Sequence, residues 1–202
     1  MAAILGLPGA YAGGLTLDRE LKFSSDELSS GTATKPLAIY SAEPTAPDTL
    51  AWDAMGVSLL YGNRLCMTDA GSTDSWVIWK VALPPGYSAK KVTLGLAQII
   101  LDGAKSGEGD DKVAVSFSLD GQTWTPIEEI ENLGTRTDAK ILSKFVCEKE
   151  IDGAGVEEFY LRIGHAEGTD IQSDSGYWAV LTSTDPQGGP SPDSFISVVV
   201  NH

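Results

Sequence analysis

Few residues in this chain could carry acid–base or nucleophilic chemistry. The two histidines are His165, in the segment RIGHAEGTD that follows an alternating apolar run, and His202. A catalytic histidine needs a nucleophile within hydrogen-bond reach and a third group to orient it. Neither histidine belongs to a known hydrolase or metalloprotease motif. A lone histidine past a strand end is more often a solvated side chain, so the sequence predicts that the chain is not an enzyme.

Carboxylates are numerous, but one segment concentrates them. The loop LDGAKSGEGDDK gathers four acidic residues around flexible glycines, namely Asp102, Glu108, Asp110 and Asp111. Hard oxygen ligands on a flexible loop suit Ca²⁺, so one interpretation is a calcium site. The other interpretation is a solvated acidic hairpin tip. No other metal or cofactor is predicted.

Aromatic residues beside polar ones suggest a surface on which sugars could stack. In FYLRI, Tyr160 and Arg162 alternate with apolar residues, so they point to the opposite face of the predicted strand. In GYWAVLTS, Tyr177 and Trp178 are not committed to a core by their pattern. These four residues are the candidate ligand-binding set. The alternative for Tyr160 and Arg162 is that a second sheet or the N-terminal segment covers them.

The charge of the chain limits its partners. The 202 residues include 28 acidic and 14 basic ones, which gives a formal charge of −14. Such a charge repels nucleic acid and anionic membranes. No apolar run reaches the roughly 18 residues of a membrane helix, and the N-terminus lacks the basic region of a signal peptide. We therefore predict no nucleic-acid partner, no membrane insertion and no classical secretion signal.

Composition divides the chain near residue 48. Residues 1–48 are rich in Ser, Thr, Ala, Gly and Pro and are predicted to form an extended N-terminal arm or linker, with a short helix near Leu17 to Phe23. The arm is either disordered or laid across a neighbouring subunit. Residues 49–202 are predicted to form one folded domain. The two cysteines, Cys66 and Cys147, could pair, but no disulfide framework is visible and two free buried thiols are favoured.

The folded part shows a period of two. The runs VIWKVAL, VTLGL, VAVSFSL, FYLRI, GYWAVLTS and SFISVVVN alternate apolar residues, and turn signals separate them. This pattern predicts an all-β fold, an antiparallel jelly-roll β-sandwich with an extended N-terminal arm. In SFSLDGQTW, the pair Asp120-Gly121 predicts a tight type I′ hairpin turn, with Trp124 as an aromatic cross-strand partner.

The order of these motifs resembles the galactose-binding-like β-sandwich of discoidin domains and many carbohydrate-binding modules. The resemblance covers about residues 75–165 and rests on Pro85-Gly86, Lys91-Val92-Thr93-Leu94, Val113 to Trp124 and Phe159 to Ile163, in that order. It implies a sandwich fold, and sandwiches of this type often carry a structural calcium. The segment SLDGQTW is also similar to a sialidase Asp-box, but it is one residue shorter and occurs once, which argues against a sialidase propeller.

Three hypotheses of function follow. The first is a non-catalytic structural and binding module of a larger assembly, such as a phage capsid decoration or fibre protein, located in a virion or on an extracellular surface. Its arm would contact other copies or other subunits, and one face would bind glycans. The second is a carbohydrate-binding module that accompanies a glycoside hydrolase. The third is a small glycosidase or lyase, which requires a carboxylate pair or His165 in a cleft.

Overall fold

The computed structural model shows a β-sandwich of two facing sheets. It describes residues 20–37, 53–55, 57–60, 64–67, 75–102, 111–132, 140–153, 155–165, 177–181 and 191–201. In chain order, the elements are β1 (Glu20–Lys22), α1 (Ser25–Leu28), β2 (Thr32–Pro36), β3 (Asp53–Met55), β4 (Val57–Leu60), β5 (Arg64–Met67), β6 (Trp76–Ala82), β7 (Ser88–Asp102), β8 (Asp111–Ser118), β9 (Thr125–Asn132), β10 (Lys140–Glu150), β11 (Glu158–His165), β12 (Tyr177–Leu181) and β13 (Phe195–Asn201).

The strands form two sheets, which we call the front sheet and the back sheet. The front sheet has the order β1-β6-β11-β8-β9, and β3 pairs with β6. The back sheet has the order β2-β13-β7-β12-β5-β4, and β10 pairs with β7. The predicted all-β jelly-roll sandwich is confirmed. One described pairing departs from the antiparallel pattern, because β1 runs parallel to β6.

Alternation along the strands builds the core between the sheets. Val77, Trp79 and Val81 of β6 are fully buried, and so are Phe159 and the other inward residues of β11. The ring of Phe159 stacks on that of Phe117, with centroids 5.7 Å apart. The same alternation would place Leu119 in the core, but β8 ends at Ser118 and Leu119 is 57% exposed.

Residues 20–37 belong to the sandwich, where the sequence predicted an arm. Strand β1 pairs with β6 in the front sheet and β2 pairs with β13 in the back sheet. Their apolar residues, although isolated in sequence, are buried in the core: Leu21, Phe23, Leu28, Ala33 and Leu37. The physical reason is that each one fills a gap between the sheets, which a local pattern does not reveal. The rest of the predicted arm lies outside the described residues.

A short capped helix joins these two strands. Ser24 and Glu27 form a reciprocal capping box at the start of α1, and Lys35 lies 2.8 Å from the Glu27 carboxylate. The Lys35 ammonium and the Ser24 amide lower the pKa of Glu27 to about 2. The predicted helix near Leu17 to Phe23 is replaced by β1 over its described part. Within the described ranges, no helix is long and apolar enough to cross a membrane.

Gly95 is required by a close contact on the outward face of the back sheet. A Cβ atom on Gly95 would lie 2.4 Å from Cε1 of Phe195, because the phenyl ring rests against the glycine. We expect Gly95→Ala to lower the free energy of unfolding by about 1–3 kcal/mol, as overpacking does. In a Phe195→Ala background the same change should be nearly neutral, which a double-mutant cycle by urea denaturation measures. Additive effects of the two substitutions would contradict the contact.

Candidate functional site

The connection between β8 and β9 is a loop held by hydrogen bonds to one side chain. It spans residues 119–124, and the Asp120 carboxylate accepts hydrogen bonds from the amides of Gln122 and Thr123 at 2.8 and 2.7 Å. The hydroxyls of Ser118 and Thr123 also donate to this carboxylate. Gly121 has a φ of +71°, whereas Asp120 does not adopt a positive φ. The predicted type I′ turn is therefore wrong, because the side chain of Asp120 organises a wider loop.

The loop places Trp124 against an arginine two strands away. The guanidinium carbon of Arg162 lies 4.5 Å from the centroid of the Trp124 ring system. Arg162 is on β11, directly opposite Ser116 of β8, and Ser116 is small and buried. A small residue between them allows the indole to reach across β8 to the guanidinium. Trp124 is therefore the partner of Arg162, a contact that the sequence did not predict.

Tyr160 lies on the same outward face but is covered. It is only 7% exposed, and the loop passes over it closely enough that a Cβ on Gly121 would lie 3.4 Å from its ring. Its hydroxyl donates to Glu158 at 2.9 Å, and the ammonium of Lys80 lies 5.8 Å from its ring centroid. The pKa of Tyr160 is raised, mainly by burial and secondly by the hydrogen bond to Glu158. Tyr160 thus supports the face from below.

An ion-pair network fixes the other side of Tyr160. The ammonium of Lys80 lies 2.5 Å from a carboxylate oxygen of Glu20 and 2.9 Å from one of Glu158. The hydrogen bond to Glu20, and then the one to Glu158, raises the pKa of Lys80 above its ordinary value. The ammonium therefore stays charged at every physiological pH. Lys80 of β6, Glu20 of β1 and Glu158 of β11 thus link their three strands.

A second tryptophan completes this surface. Trp76 alternates with the buried Val77 and Trp79, so it lies on the outward face of β6, where it is half-buried opposite Gly164. Its indole N–H is buried and has no acceptor in the described part of the chain. We call the outward surface formed by Trp76, Trp124, Tyr160 and Arg162 the aromatic face. It offers ring surface and guanidinium donors, whereas the Trp76 N–H is buried beneath the surface.

The other two predicted ligand residues lie in the back sheet. In β12, Tyr177 is opposite Asp102 and Trp178 is opposite Leu101. Tyr160 and Arg162 belong to the front sheet, so the four residues do not share one sheet face. The sequence could not show this separation, because the order of strands in the two sheets depends on contacts distant along the chain.

The acidic candidates and the histidine are only partly described. Asp102 ends β7 and Asp111 begins β8, while Glu108 and Asp110 lie outside the described residues. Among the residues that the structure describes, no group of three or more potential ligands could hold a metal ion. The calcium site stays a prediction.

His165 is the last residue of β11, opposite Val113. Cys147 is a buried free thiol, and burial raises its pKa to about 12.

The Asp120 carboxylate should titrate far below an ordinary aspartate. The amides of Thr123 and Gln122, in that order, lower its pKa most. The pKa of Asp120 is lower in the folded chain than in the unfolded chain. The ionised carboxylate therefore stabilises the loop fully above about pH 4, the pKa of an unfolded aspartate. This stabilisation is lost as the pH falls through the folded-state pKa. We expect the carboxyl carbon signal in NMR to remain that of the ionised form at pH 3. Titration near the ordinary value would contradict these hydrogen bonds.

The chain is similar to solved carbohydrate-binding structures. A CBM4 module aligns with 69% of this chain and 77% of its own, at 12% identity and a TM-score of 0.36. A mutant of CBM29-2, a family 29 carbohydrate-binding module, aligns with 83% of this chain and 92% of its own, at 9% identity and a TM-score of 0.39. Arthrobacter globiformis T6 isomalto-dextranase complexed with panose aligns with 83% of this chain but 23% of its own, at 13% identity and a TM-score of 0.40.

These similarities are distant. All the identities are below 20% and all the TM-scores are at or below 0.40, so they assign no role to any residue of this chain. No protein-family model matches the sequence, and no curated protein matches it.

Proposed function

We propose that this chain is a non-catalytic sandwich that binds glycans on the aromatic face. The observation that carries the proposal is the cation–π contact between Arg162 and Trp124, whose guanidinium carbon and ring centroid are 4.5 Å apart. An indole ring offers apolar area to the C–H groups of a sugar, and a guanidinium offers several N–H donors to its hydroxyls. The two groups are adjacent on one surface, as recognition of an amphipathic sugar ring requires.

Preorganisation supports the same function. Trp124 is held by a loop whose Asp120 carboxylate accepts four hydrogen bonds, from two amides and two hydroxyls. Arg162 is positioned by the central strand of the front sheet and contacts the indole. Ordering a free side chain at an interface costs about 0.5–1.5 kcal/mol, and side chains that are already ordered avoid that cost.

The carboxylates around this face take part in structural contacts, and this supports a non-catalytic function for the chain. Asp120 accepts its hydrogen bonds within the loop, Glu158 accepts one from Tyr160, and Glu158 and Glu20 both pair with Lys80. A glycosidase needs one carboxyl group to protonate the leaving oxygen and a second to act as nucleophile or base. The backbone amides of the loop lower the pKa of Asp120, and the hydrogen bond from Lys80 lowers the pKa of Glu20, so neither of these two carboxyl groups suits the acid role.

A glycan array tests the proposal. We expect the full chain to bind a defined group of glycans, and Trp124→Ala to weaken binding by about tenfold or more, as loss of a central aromatic does. Arg162→Lys keeps the charge but loses the planar group with its several N–H donors, so it should weaken binding as well. Leu119→Ala, at an exposed position of the same loop, is the matched control and should bind normally. Undiminished binding by both site variants would contradict the proposal.

The wider context of the module is a separate proposal. The chain could belong to a larger assembly, such as a virion, or it could be a module that accompanies a glycoside hydrolase. Both hypotheses rest on the sequence. An assembly contact through the N-terminal segment can involve residues 1–19, because residues 20–37 are built into the sandwich. Removal of residues 1–19, followed by measurement of the mass of the chain in solution, tests this contact without disturbing a described strand.

A further inference from the structure

The outward face of the front sheet carries charged groups of both signs. Strand register and alternation put four described cations there: Lys22, Lys80, Lys112 and Arg162. They also put five described carboxylates on this face or in the loop above it: Glu20, Glu129, Glu131, Glu158 and Asp120. Four positive charges against five negative ones leave one net negative charge. The described part of this face therefore has no excess of cations to attract an anion.

Given the function proposed above, we infer that the glycan bound on the aromatic face is uncharged. Sugars with carboxylate or sulfate groups are recognised through an excess of Lys and Arg, whose charge-assisted hydrogen bonds hold the anionic oxygens. Sugars that carry only hydroxyl groups need apolar ring surface and hydrogen-bond donors. Trp124 and Arg162 supply these two features next to each other.

Two lysines on this face are already paired with carboxylates. The ammonium of Lys80, whose side chain is 15% exposed, lies 2.5 Å from Glu20 and 2.9 Å from Glu158. The ammonium of Lys112 lies 3.0 Å from Glu131. An anionic sugar that took either lysine would leave a carboxylate without its partner, and this loss offsets the gain.

The surroundings of Arg162 suit a hydroxyl group better than an anion. The guanidinium lies over the Trp124 ring, so its positive charge already interacts with the negative face of the indole. The Asp120 carboxylate belongs to the same loop as Trp124, and the amides of Thr123 and Gln122 lower its pKa and keep it ionised. A fixed negative charge in this loop repels an anion but not a neutral sugar.

The charge of the whole chain acts in the same direction. The chain has 28 acidic and 14 basic residues and a formal charge of −14. At 0.15 M ionic strength this charge is felt over about 8 Å. A polyanionic glycan that extends beyond the aromatic face is repelled along its length, whereas an uncharged glycan is not.

Calorimetric titration of the full chain with neutral and acidic oligosaccharides tests the inference. The neutral probes are galactan, mannan and glucan fragments, and the acidic probes are polygalacturonate and heparin fragments. We expect binding to one or more neutral probes only. The affinity should change less than about twofold between 0.01 M and 1 M ionic strength, over which the screening length falls from about 30 Å to about 3 Å.

A pair of opposite charges on the loop provides a second measurement. Leu119 is 57% exposed, so Leu119→Lys and Leu119→Glu change the charge of the loop without disturbing the core. Both variants should bind the neutral probe within about twofold of the unmodified chain, since an uncharged ligand does not respond to the sign of a nearby charge. An anionic ligand would bind Leu119→Lys more tightly and Leu119→Glu more weakly.

The outcomes separate the class of sugar from the site. Binding of an acidic probe that salt weakens by about tenfold or more, and that Trp124→Ala also weakens, would overturn the inference but leave the proposed function intact. Opposite effects of the two Leu119 variants on the bound glycan would overturn it as well. A chain that binds none of these probes and no glycan on the array would overturn both proposals.

Discussion

Removal of residues 1–37 should abolish cooperative unfolding of this chain. The deletion takes away four core side chains, Leu21, Phe23, Leu28 and Leu37, each at most 4% exposed. Burial of a large apolar side chain contributes about 1.5–3 kcal/mol, so the four together are worth about 6–12 kcal/mol. Domains of this kind have a total stability of about 5–15 kcal/mol. The deletion also uncovers the edges of β6 and β13.

The comparison for this prediction is a chain that lacks residues 1–19 only. It keeps every described strand and every described core residue, and we expect it to unfold cooperatively in urea. Near-ultraviolet circular dichroism and the sharpness of the urea transition distinguish the two variants. Equal transitions for both deletions would mean that residues 20–37 do not stabilise the sandwich.

Replacement of Phe159 by alanine should strongly destabilise the sandwich. Phe159 is fully buried on the central strand of the front sheet and stacks on Phe117. Phe→Ala substitutions in protein cores cost about 3–5 kcal/mol, since apolar contact is lost and a cavity remains. Urea denaturation should show a lower midpoint with an unchanged slope, which is the mark of lost stability without a change in the unfolded state.

A surface substitution provides the control for Phe159→Ala. Leu119 is also a large apolar residue of this sheet region but is 57% exposed. Leu119→Ala should change the free energy of unfolding by no more than about 0.5 kcal/mol. If Phe159→Ala cost no more than Leu119→Ala, the packing between the two sheets would not be as described.

The sequence predicted the faces of strands well, because alternation is a local property. It assigned Trp79 and Phe159 inward and Tyr160 and Arg162 outward, and the structure agrees. It failed where a side chain overrides the backbone preference. At Asp120-Gly121, the pair suggests a type I′ turn, but the Asp120 carboxylate collects the amides of Gln122 and Thr123 and makes a longer loop.

Contacts between distant parts of the chain were beyond the sequence. Residues 20–37 were predicted as part of an arm, since their buried residues are isolated locally and meet only in the core. The contact of Trp124 with Arg162 depends on β8 lying between β9 and β11. Likewise, Tyr177 and Trp178 could not be separated from Tyr160 until the sheet order was known.

The most direct test of glycan binding on the aromatic face is an NMR titration of the indole N–H signals. The full chain, labelled with ¹⁵N, is titrated with the glycan that binds best on the array, and the Trp124 signal is assigned with Trp124→Phe. We expect the Trp124 indole signal to shift saturably, together with the Arg162 guanidinium signal. Saturable shifts confined to residues of the back sheet, with Trp124 unchanged, would contradict it.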